Sequence, residues 1–301
     1  MYDIIIIGSG PAGLTAAIYA KRAMLSAVVV EKDYMGTGQI SVTERVDNYP
    51  GLPGISGYDL GEGFRKHAGE LGAEFFEGEV KSIERSGKNW SVTFADKSTH
   101  TAKAVIYAAG TSYRRLGVEG DKKQRVSYCA VCDGFFYKDK TVAVIGGGDT
   151  ALGDALYLSK LAETVYLVHR RDEFRANRSL QKQVAETGNI VTVMGAVLTE
   201  VTGGDKAEGI AYIQNGENKV LAVDGVFAAV GSVPNSALLE GICELDSSGY
   251  VVAGEDCRTS AEGIFAAGDV RTTPLRQVIT AAADGANAAV SAEKYIGSLS
   301  K

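Results

Sequence analysis

Residues 3–31, DIIIIGSGPAGLTAAIYAKRAMLSAVVVE, and residues 141–169, TVAVIGGGDTALGDALYLSKLAETVYLVH, decide the fold. The two stretches align without gaps, so the chain contains an internal repeat. Each copy starts with a short apolar run typical of a buried strand, continues through a glycine-rich turn into a helical stretch, and ends in a second apolar strand. Each copy is therefore the opening of a βαβ unit, and the sequence predicts two nucleotide-binding units in one chain.

The rest of the chain extends both units. Short β-rich runs separated by turn residues fill residues 74–110 and 191–229, and residues 263–296 hold one more apolar strand and a helix rich in small residues. The 301 residues are about twice the ~150 that are usual for one domain, which also favours two domains. Polar stretches at residues 119–125 and 244–249 are candidate crossings between them.

Composition excludes several classes of function. A formal net charge of -6 offers no basic surface for nucleic acid. The N-terminus has no basic region before its isoleucines and no apolar run reaches 18 residues, so we expect neither export nor membrane insertion and predict a cytoplasmic protein. Four cysteines are too few for a disulfide scaffold of this length.

The first glycine-rich turn, GSGPAG, has the spacing of a dinucleotide-binding loop. Gly8 would allow the tight turn, Gly10 the approach of a pyrophosphate, and Gly13 close packing of the helix. Glu31, at the end of the next strand, stands where a carboxylate would bind a ribose 2'-hydroxyl. A lone motif of this kind also occurs in ordinary turns, but its strand–turn–helix context favours nucleotide binding.

The second unit differs from the first where it matters for specificity. In the repeat register His169 takes the place of Glu31, and Arg170, Arg171 and Arg175 follow. An acid would repel a 2'-phosphate, whereas this cluster offers charge-assisted donors to one. The pattern predicts NADPH in the second unit and a nucleotide with a free ribose in the first. The alternative is a solvated basic patch at a strand end.

A C-x-x-C pair, Cys129 and Cys132, lies just before the second unit and is followed by Asp133. Structural zinc needs about four ligands, and we expect no metal because the remaining candidates are scattered: His67, His100, His169, Cys243 and Cys257. A redox dithiol fits better, with Asp133 able to hold a proton during exchange. Two buried reduced cysteines are the alternative, and for Cys243 and Cys257 that structural role is the prediction.

In this order, the two nucleotide loops and the cysteine pair resemble the low-molecular-weight thioredoxin reductases of the FAD-dependent pyridine nucleotide-disulfide oxidoreductases, over nearly the whole chain. Further stretches that carry the resemblance are Gly38-Gln39, Asn48-Tyr49-Pro50-Gly51, Ala109-Gly110-Thr111, residues 231–235, Gly268-Asp269 and Arg276-Gln277. The resemblance implies an α/β fold with two Rossmann-like domains of three-layer ββα type. It places an FAD domain at residues 1–116 and 245–301, with an NADPH domain at 117–244 inserted into it.

The resemblance also implies the site residues. For FAD they are Gly8, Ser9, Gly10, Pro11, Ala12, Gly13, Glu31, Lys32, Gly38, Gln39, Asn48, Val80, Ala109, Gly110, Thr111, Gly268, Asp269, Arg276, Gln277 and Val278. For NADPH they are Gly146, Gly148, Asp149, Thr150, Ala151, His169, Arg170, Arg171, Arg175 and Gly231.

The activity implied is reduction of oxidised thioredoxin by a homodimer. Electrons pass from NADPH through FAD to the cysteine pair. Cys132 is then the sulfur that faces the flavin, Cys129 the interchange thiol, and Asp133 the neighbouring acid.

The sequence leaves alternatives open. Where the family usually carries two acids in the helix after the second loop, this chain has Gly153 and Asp154. The loop before Gln39 also lacks the family's double glycine. NADH or ferredoxin is therefore an alternative electron donor. A glutaredoxin-like protein is an alternative partner in place of thioredoxin. A ferredoxin or flavodoxin NADP reductase would lack the cysteine pair, and a flavin-binding redox sensor would show no turnover.

Overall fold

The computed structural model describes residues 1–32, 36–43, 45–121 and 125–299. The chain forms two compact units, one made of Met1–Ser112 with the residues from Val233 onwards, the other of Tyr113–Ser232. The boundaries predicted after residues 116 and 244 lie further along the chain than these divisions. The reason at the second boundary is that Leu239 and Cys243 are buried in an apolar cluster of the first unit.

The first segment of the chain supplies most of the first unit. Its elements are β1 (Tyr2–Ile7), α1 (Pro11–Arg22), β2 (Ala27–Glu31), a 3-10 helix (Gly38–Val42), α2 (Gly57–Glu70), β3 (Glu74–Glu77), β4 (Val80–Ser86), β5 (Asn89–Phe94), β6 (Thr99–Tyr107) and β7 (Thr111–Tyr113).

The middle segment forms the second unit and ends at the return to the first. Its elements are β8 (Val126–Ser127), α3 (Ala130–Asp133), a 3-10 helix (Gly134–Tyr137), β9 (Thr141–Ile145), α4 (Asp149–Leu158), β10 (Thr164–Val168), α5 (Arg178–Glu186), β11 (Ile190–Val193), β12 (Ala196–Thr202), β13 (Gly209–Gln214), β14 (Glu217–Ala222), β15 (Gly225–Ala228) and β16 (Ser232–Pro234).

The returning segment completes the first unit with 3-10 helices at Ala237–Leu239 and Gly268–Val270, strand β17 (Ile264–Ala266) and helix α6 (Val278–Ser298). Its sheet has the order β3-β2-β1-β6-β5-β4, and β17 pairs with β6. The pairs among β3, β2, β1, β6 and β17 are parallel, whereas β4, β5 and the start of β6 are antiparallel.

The second unit repeats this plan with separate sheets. A parallel sheet has the order β11-β10-β9-β15-β8, and an antiparallel sheet has the order β12-β13-β14. The repeat found in the sequence thus appears as two equivalent parallel openings, β1-α1-β2 and β9-α4-β10.

Burial explains the continuous apolar run of β1. Ile4 and Ile6 pack into a cluster with the small residues of α1 and α6, and Ile5 and Ile7 pack into a cluster on the opposite face with residues of β5 and β17. A strand covered on both faces reads as an uninterrupted apolar run. The two Rossmann-like units, with one inserted into the other, are confirmed as the fold class.

The two cysteines outside the C-x-x-C pair behave as predicted. Cys243 and Cys257 are both reduced and buried, and burial raises the pKa of Cys257 to about 12. Cys257 is fully buried in the apolar cluster of α1 and α6, which fits a structural role. Among the described residues, no helix is both long and apolar enough to cross a bilayer.

Candidate functional site

The first glycine loop leads from β1 directly into α1. Gly10 is the N-cap in an extended conformation, Pro11 is the first helical residue, and within the described residues no side chain caps the helix and no acid lies in its first turn. Gly13 lies against the loop, since a Cβ there would come 1.9 Å from the Gly8 carbonyl oxygen. The start of α1 therefore suits a pyrophosphate.

Glu31 is brought to this loop, as its position at the end of β2 predicts. Its Oε2 accepts hydrogen bonds from the Ser9 backbone N–H at 3.1 Å and from Ser9 Oγ at 2.9 Å. The Lys32 N–H donates to Oε1 at 2.8 Å, and Ser9 Oγ shares its single proton between Glu31 and the Gly36 carbonyl. The carboxylate lies beside the first glycine loop, at the carboxyl end of β2. This is where a dinucleotide-binding unit recognises a ribose hydroxyl.

Two further pairs of predicted residues meet across long stretches of sequence. Gln39 Nε2 donates to the Thr111 carbonyl at 2.6 Å and to Thr111 Oγ1 at 3.1 Å. Asn48 Nδ2 donates to Gln277 Oε1 at 2.9 Å. The segment after β2 is thus tied both to the start of β7 and to the start of α6.

Asn235 is a residue of this region that the sequence analysis did not assign. Its Nδ2 donates to the Ala109 carbonyl at 2.8 Å and its N–H to the Gly110 carbonyl at 3.0 Å. Its Oδ1 accepts from Ser112 Oγ at 2.9 Å. Asn235 therefore fixes the turn that contains the predicted FAD residues Ala109 and Gly110. The only signal for it was its place in the 231–235 stretch.

Asp269 follows Gly268 at the carboxyl end of β17. Burial raises the pKa of Asp269 to about 6. Arg276 Nε donates to the Asp269 carbonyl at 3.4 Å, and the Arg276 guanidinium stacks over the Tyr250 ring at 4.1 Å. A partly buried carboxyl beside the start of α1 is a candidate acceptor for ligand hydroxyl groups.

Two further predicted FAD glycines lie against the first glycine loop, and two predicted valines pack in apolar clusters of the same unit. A Cβ on Gly268 would come 3.0 Å from Ala12 Cβ, and a Cβ on Gly38 would come 3.1 Å from Gly10 Cα. Val80 and Val278 are partly buried apolar contacts of the clusters that contain Ile7 and Ile40. Gly38 and Gly268 therefore lie against the first glycine loop, and their lack of a side chain fits the close approach of a dinucleotide.

The second glycine loop leads from β9 into α4 in the same way. Gly148 is the N-cap, again without a side-chain cap among the described residues. Asp149 is engaged elsewhere, because its Oδ1 accepts from the Asn177 N–H at 2.7 Å and from Asn177 Nδ2 at 3.2 Å. Ala151 is fully buried, and Gly231 accepts the Arg114 N–H at 3.0 Å.

His169 lies against this loop, as the repeat register predicts. A Cβ on Gly147 would come 2.3 Å from the His169 ring, so the imidazole packs on the loop backbone and stacks on Phe174. Its Nε2 is buried without a hydrogen-bond partner in the described part of the chain. Burial, followed by the nearby arginines, lowers its pKa. A phosphate oxygen bound at this loop would give the buried Nε2 the hydrogen-bond partner that it lacks.

The arginines beside His169 remain exposed around the loop. None of the ion pairs among the described residues includes Arg170, Arg171 or Arg175. The Arg175 N–H donates to the Gly147 carbonyl at 2.8 Å, which anchors its backbone to the loop. Three cations and an orphaned imidazole nitrogen at one loop fit a nucleotide with a 2'-phosphate.

Cys129 and Cys132 form a disulfide around the short helix α3. The Cys132 N–H points to Cys129 Sγ at 3.2 Å, and the Asp133 N–H donates to the Cys129 carbonyl at 3.1 Å. Ser127 Oγ donates to Asp133 Oδ2 at 2.6 Å and accepts from the Cys129 N–H at 3.2 Å. Ser127, which the sequence analysis did not assign, therefore links the acid to the first cysteine.

Asp154 is a partly buried carboxyl on α4, next to Gly153. Burial raises its pKa to about 6 from 3.8, so the folded state holds this proton more tightly than the unfolded chain does. Protonated Asp154 therefore contributes to the free energy of unfolding below about pH 4. This contribution is lost as the pH rises through 6.

We therefore expect Asp154→Asn to stabilise the protein by about 1–2 kcal/mol at pH 8 and to have little effect at pH 4. Thermal melts followed by circular dichroism at both pH values measure this difference. The exposed Glu163→Gln serves as control and should change neither melt. An equal gain from Asp154→Asn at both pH values would contradict the assignment.

Comparison with known proteins places these features in a family. Residues 2–285 match the family described as pyridine nucleotide-disulphide oxidoreductase. Curated relatives include the thioredoxin reductases of Listeria monocytogenes and Bacillus subtilis, each 40% identical over 99% of this chain and covering 95% and 96% of their own lengths. Among solved structures, thioredoxin reductase from Streptococcus pyogenes is 39% identical, with a TM-score of 0.94 and 99% of each chain covered.

Proposed function

The chain belongs to the pyridine nucleotide-disulphide oxidoreductase family, and from this premise we propose that it is an FAD-dependent thioredoxin-disulfide reductase that uses NADPH. One observation carries the proposal within the molecule. The Cys129–Cys132 disulfide, with an acid beside it, lies in the same compact unit as the loop that carries the basic cluster.

In the first unit, we assign the open start of α1 to the FAD pyrophosphate and Glu31 to its ribose. Gln39, Asn48, Thr111, Asp269 and the residues from Arg276 to Val278 are assigned to the remainder of the cofactor. The support is that no side chain caps the start of α1 among the described residues and that Glu31 bonds to Ser9 of the loop. Gln39 bonds to Thr111 and Asn48 to Gln277 in the same unit.

In the second unit, the residues 146–151 are assigned to the NADPH pyrophosphate. His169 and its neighbouring arginines are assigned to the 2'-phosphate. Asp149 would act indirectly, by holding Asn177 and the start of α5 beside the loop. A 2'-phosphate would make His169 easier to protonate, because the new negative charge opposes the effect of burial on its pKa.

Bound FAD and NADPH would supply the two-electron chemistry that side chains cannot perform. The two electrons, with protons, convert the Cys129–Cys132 disulfide into two thiols. The Cys129 thiolate then attacks the disulfide of oxidised thioredoxin, forming a mixed disulfide and releasing one thioredoxin thiolate. The Cys132 thiolate attacks Cys129 Sγ, which re-forms the internal disulfide and releases reduced thioredoxin. Asp133 would hold the proton exchanged at these sulfurs.

The proposal is tested by thioredoxin-dependent oxidation of NADPH by the purified flavoprotein. Oxidised thioredoxin should support turnover, and oxidised glutathione alone should not. Turnover with a glutaredoxin-like protein in place of thioredoxin would contradict the partner while leaving the electron path intact.

We also propose that the enzyme is a cytoplasmic homodimer. Exposed apolar side chains on the helices of the first unit support a second copy as the occupant, among them Tyr19, Tyr58, Ile279 and Val290. The two reduced cysteines suit a reducing compartment. Light scattering of the FAD-loaded protein should give the mass of two chains, and a single-chain mass would contradict the dimer.

A further inference from the structure

A buried ion pair lies beneath the turn that carries Asp269. Arg271 Nε donates to Asp284 Oδ2 at 2.7 Å and Arg271 Nη2 to Asp284 Oδ1 at 2.6 Å, with both side chains less than a tenth exposed. Arg271 Nη1 also donates to the carbonyls of Ala253 and Thr272, at 3.1 and 2.8 Å. Four of the five guanidinium N–H groups are therefore engaged, two of them by the Asp284 carboxylate.

Such a pair is weak evidence for stability by itself. Removing two charges from water offsets most of their attraction, and apolar replacements of buried ion pairs are often neutral or stabilising. A role other than stability is needed to explain this ion pair, and its hydrogen bonds indicate one. Asp284 Oδ2 also accepts the backbone N–H of Gly268 at 3.0 Å. The carboxylate thus connects α6 to the turn immediately before Asp269.

The residue next to Asp284 brings α6 onto the first glycine loop. A Cβ on Gly285 would come 2.1 Å from the Ala12 carbonyl oxygen, so α6 and α1 touch backbone to backbone there. The turn at Gly268 also lies against Ala12. Asp284 binds the Gly268–Asp269 turn, and both Gly268 and the neighbouring Gly285 of α6 lie against Ala12 in the first turn of α1.

We propose that Arg271 and Asp284 are positioning residues for FAD. Arg271 orients the Asp284 carboxylate, and Asp284 holds the Gly268 N–H so that the Gly268–Asp269 turn is fixed against the first glycine loop. The inference rests on the proposed function, which assigns that turn and that loop to FAD. Neither side chain needs to touch the cofactor, because the pair acts through the backbone of the turn.

The test measures FAD affinity of the apoprotein by flavin fluorescence titration, together with the melting temperature. Arg271→Met leaves Asp284 as a buried unpaired charge, so it should lower both the melting temperature and the FAD affinity. The double variant Arg271→Met/Asp284→Leu has no unpaired charge and should regain the melting temperature. It still lacks the acceptor for Gly268, so its FAD affinity should stay about tenfold below that of the unchanged protein.

A matched control separates positioning from general stability. Asp3 pairs with Lys103 at 2.7 Å in the same unit, at the end of β1 away from the glycine loop. Asp3→Asn should lower the melting temperature and leave FAD affinity within about twofold. Visible circular dichroism of the bound flavin should change in the double variant and not in Asp3→Asn.

The outcomes are distinct. FAD affinity that recovers fully in the double variant would overturn the positioning role and leave a purely structural ion pair. The double variant keeps the test decisive if Arg271→Met does not fold. Failure of the unchanged apoprotein to bind FAD would instead contradict the proposed function itself.

Discussion

Replacing Cys129 by Ser is expected to lower thioredoxin-dependent turnover at least about a thousandfold while NADPH still reduces the flavin. A serine hydroxyl cannot form the mixed disulfide, and Cys132 alone cannot re-form the internal one. Stopped-flow absorbance under anaerobic conditions measures flavin reduction, and NADPH oxidation in the presence of thioredoxin measures turnover.

The matched control is Cys243→Ser. Cys243 is buried and reduced, and its Sγ contacts Thr259 Oγ1 at 3.3 Å, a contact that a hydroxyl can replace. This variant should keep full turnover. If Cys129→Ser keeps its turnover, a different sulfur reduces thioredoxin. That result would contradict the proposed order of thiol–disulfide exchange steps.

Replacing Arg171 or Arg175 by Ala is expected to lower kcat/KM for NADPH about 10–100-fold while changing that for NADH little. Each arginine is exposed near the second glycine loop and is available to a 2'-phosphate, which NADH lacks. The remaining preference for NADPH should weaken further as salt screens the exposed cluster. Initial rates with both nucleotides at two ionic strengths measure the preference.

Lys182→Ala is the control for this prediction. Lys182 is an exposed cation of the same unit that lies on α5 near Glu186, away from the cluster. Its loss should leave the ratio of NADPH to NADH activity unchanged. An unchanged ratio in the arginine variants as well would mean that the cluster is the solvated patch considered in the sequence analysis.

The parts of the fold and site that local pattern encodes were predictable. The apolar runs of β1 and β9 and the glycine turns after them specify both openings, because each feature lies within a few residues of the next. The repeat register then predicted that Glu31 and His169 occupy equivalent positions. The structure places Glu31 on Ser9 and His169 on Gly147, which are themselves equivalent in the repeat.

Contacts between side chains far apart in sequence were not predictable in this way. Asn235 holds the Ala109–Gly110 turn, and Asp284 holds Arg271. Neither residue belongs to a periodic pattern or a motif with fixed spacing, and a single aspartate in a small-residue helix reads as a surface residue. Such contacts depend on how the returning segment packs on the first one, and that information is spread over the whole unit.

Domain boundaries show the same limit. Polar residues at 244–249 suggested a crossing, but Leu239 and Cys243 before them are apolar and find their place in the first unit. Polarity marks exposed loops, whereas a boundary depends on which core the neighbouring apolar residues join.

The most direct test of the central claim is anaerobic flavin bleaching. The yellow protein is mixed with NADPH or, in parallel, NADH, and oxidised thioredoxin is added afterwards. The proposed function predicts rapid bleaching by NADPH, slower bleaching by NADH, and return of the yellow colour on adding thioredoxin. Absence of bleaching by either nucleotide would contradict the proposed donor and direct attention to Gly153 and to reduced ferredoxin as the electron source.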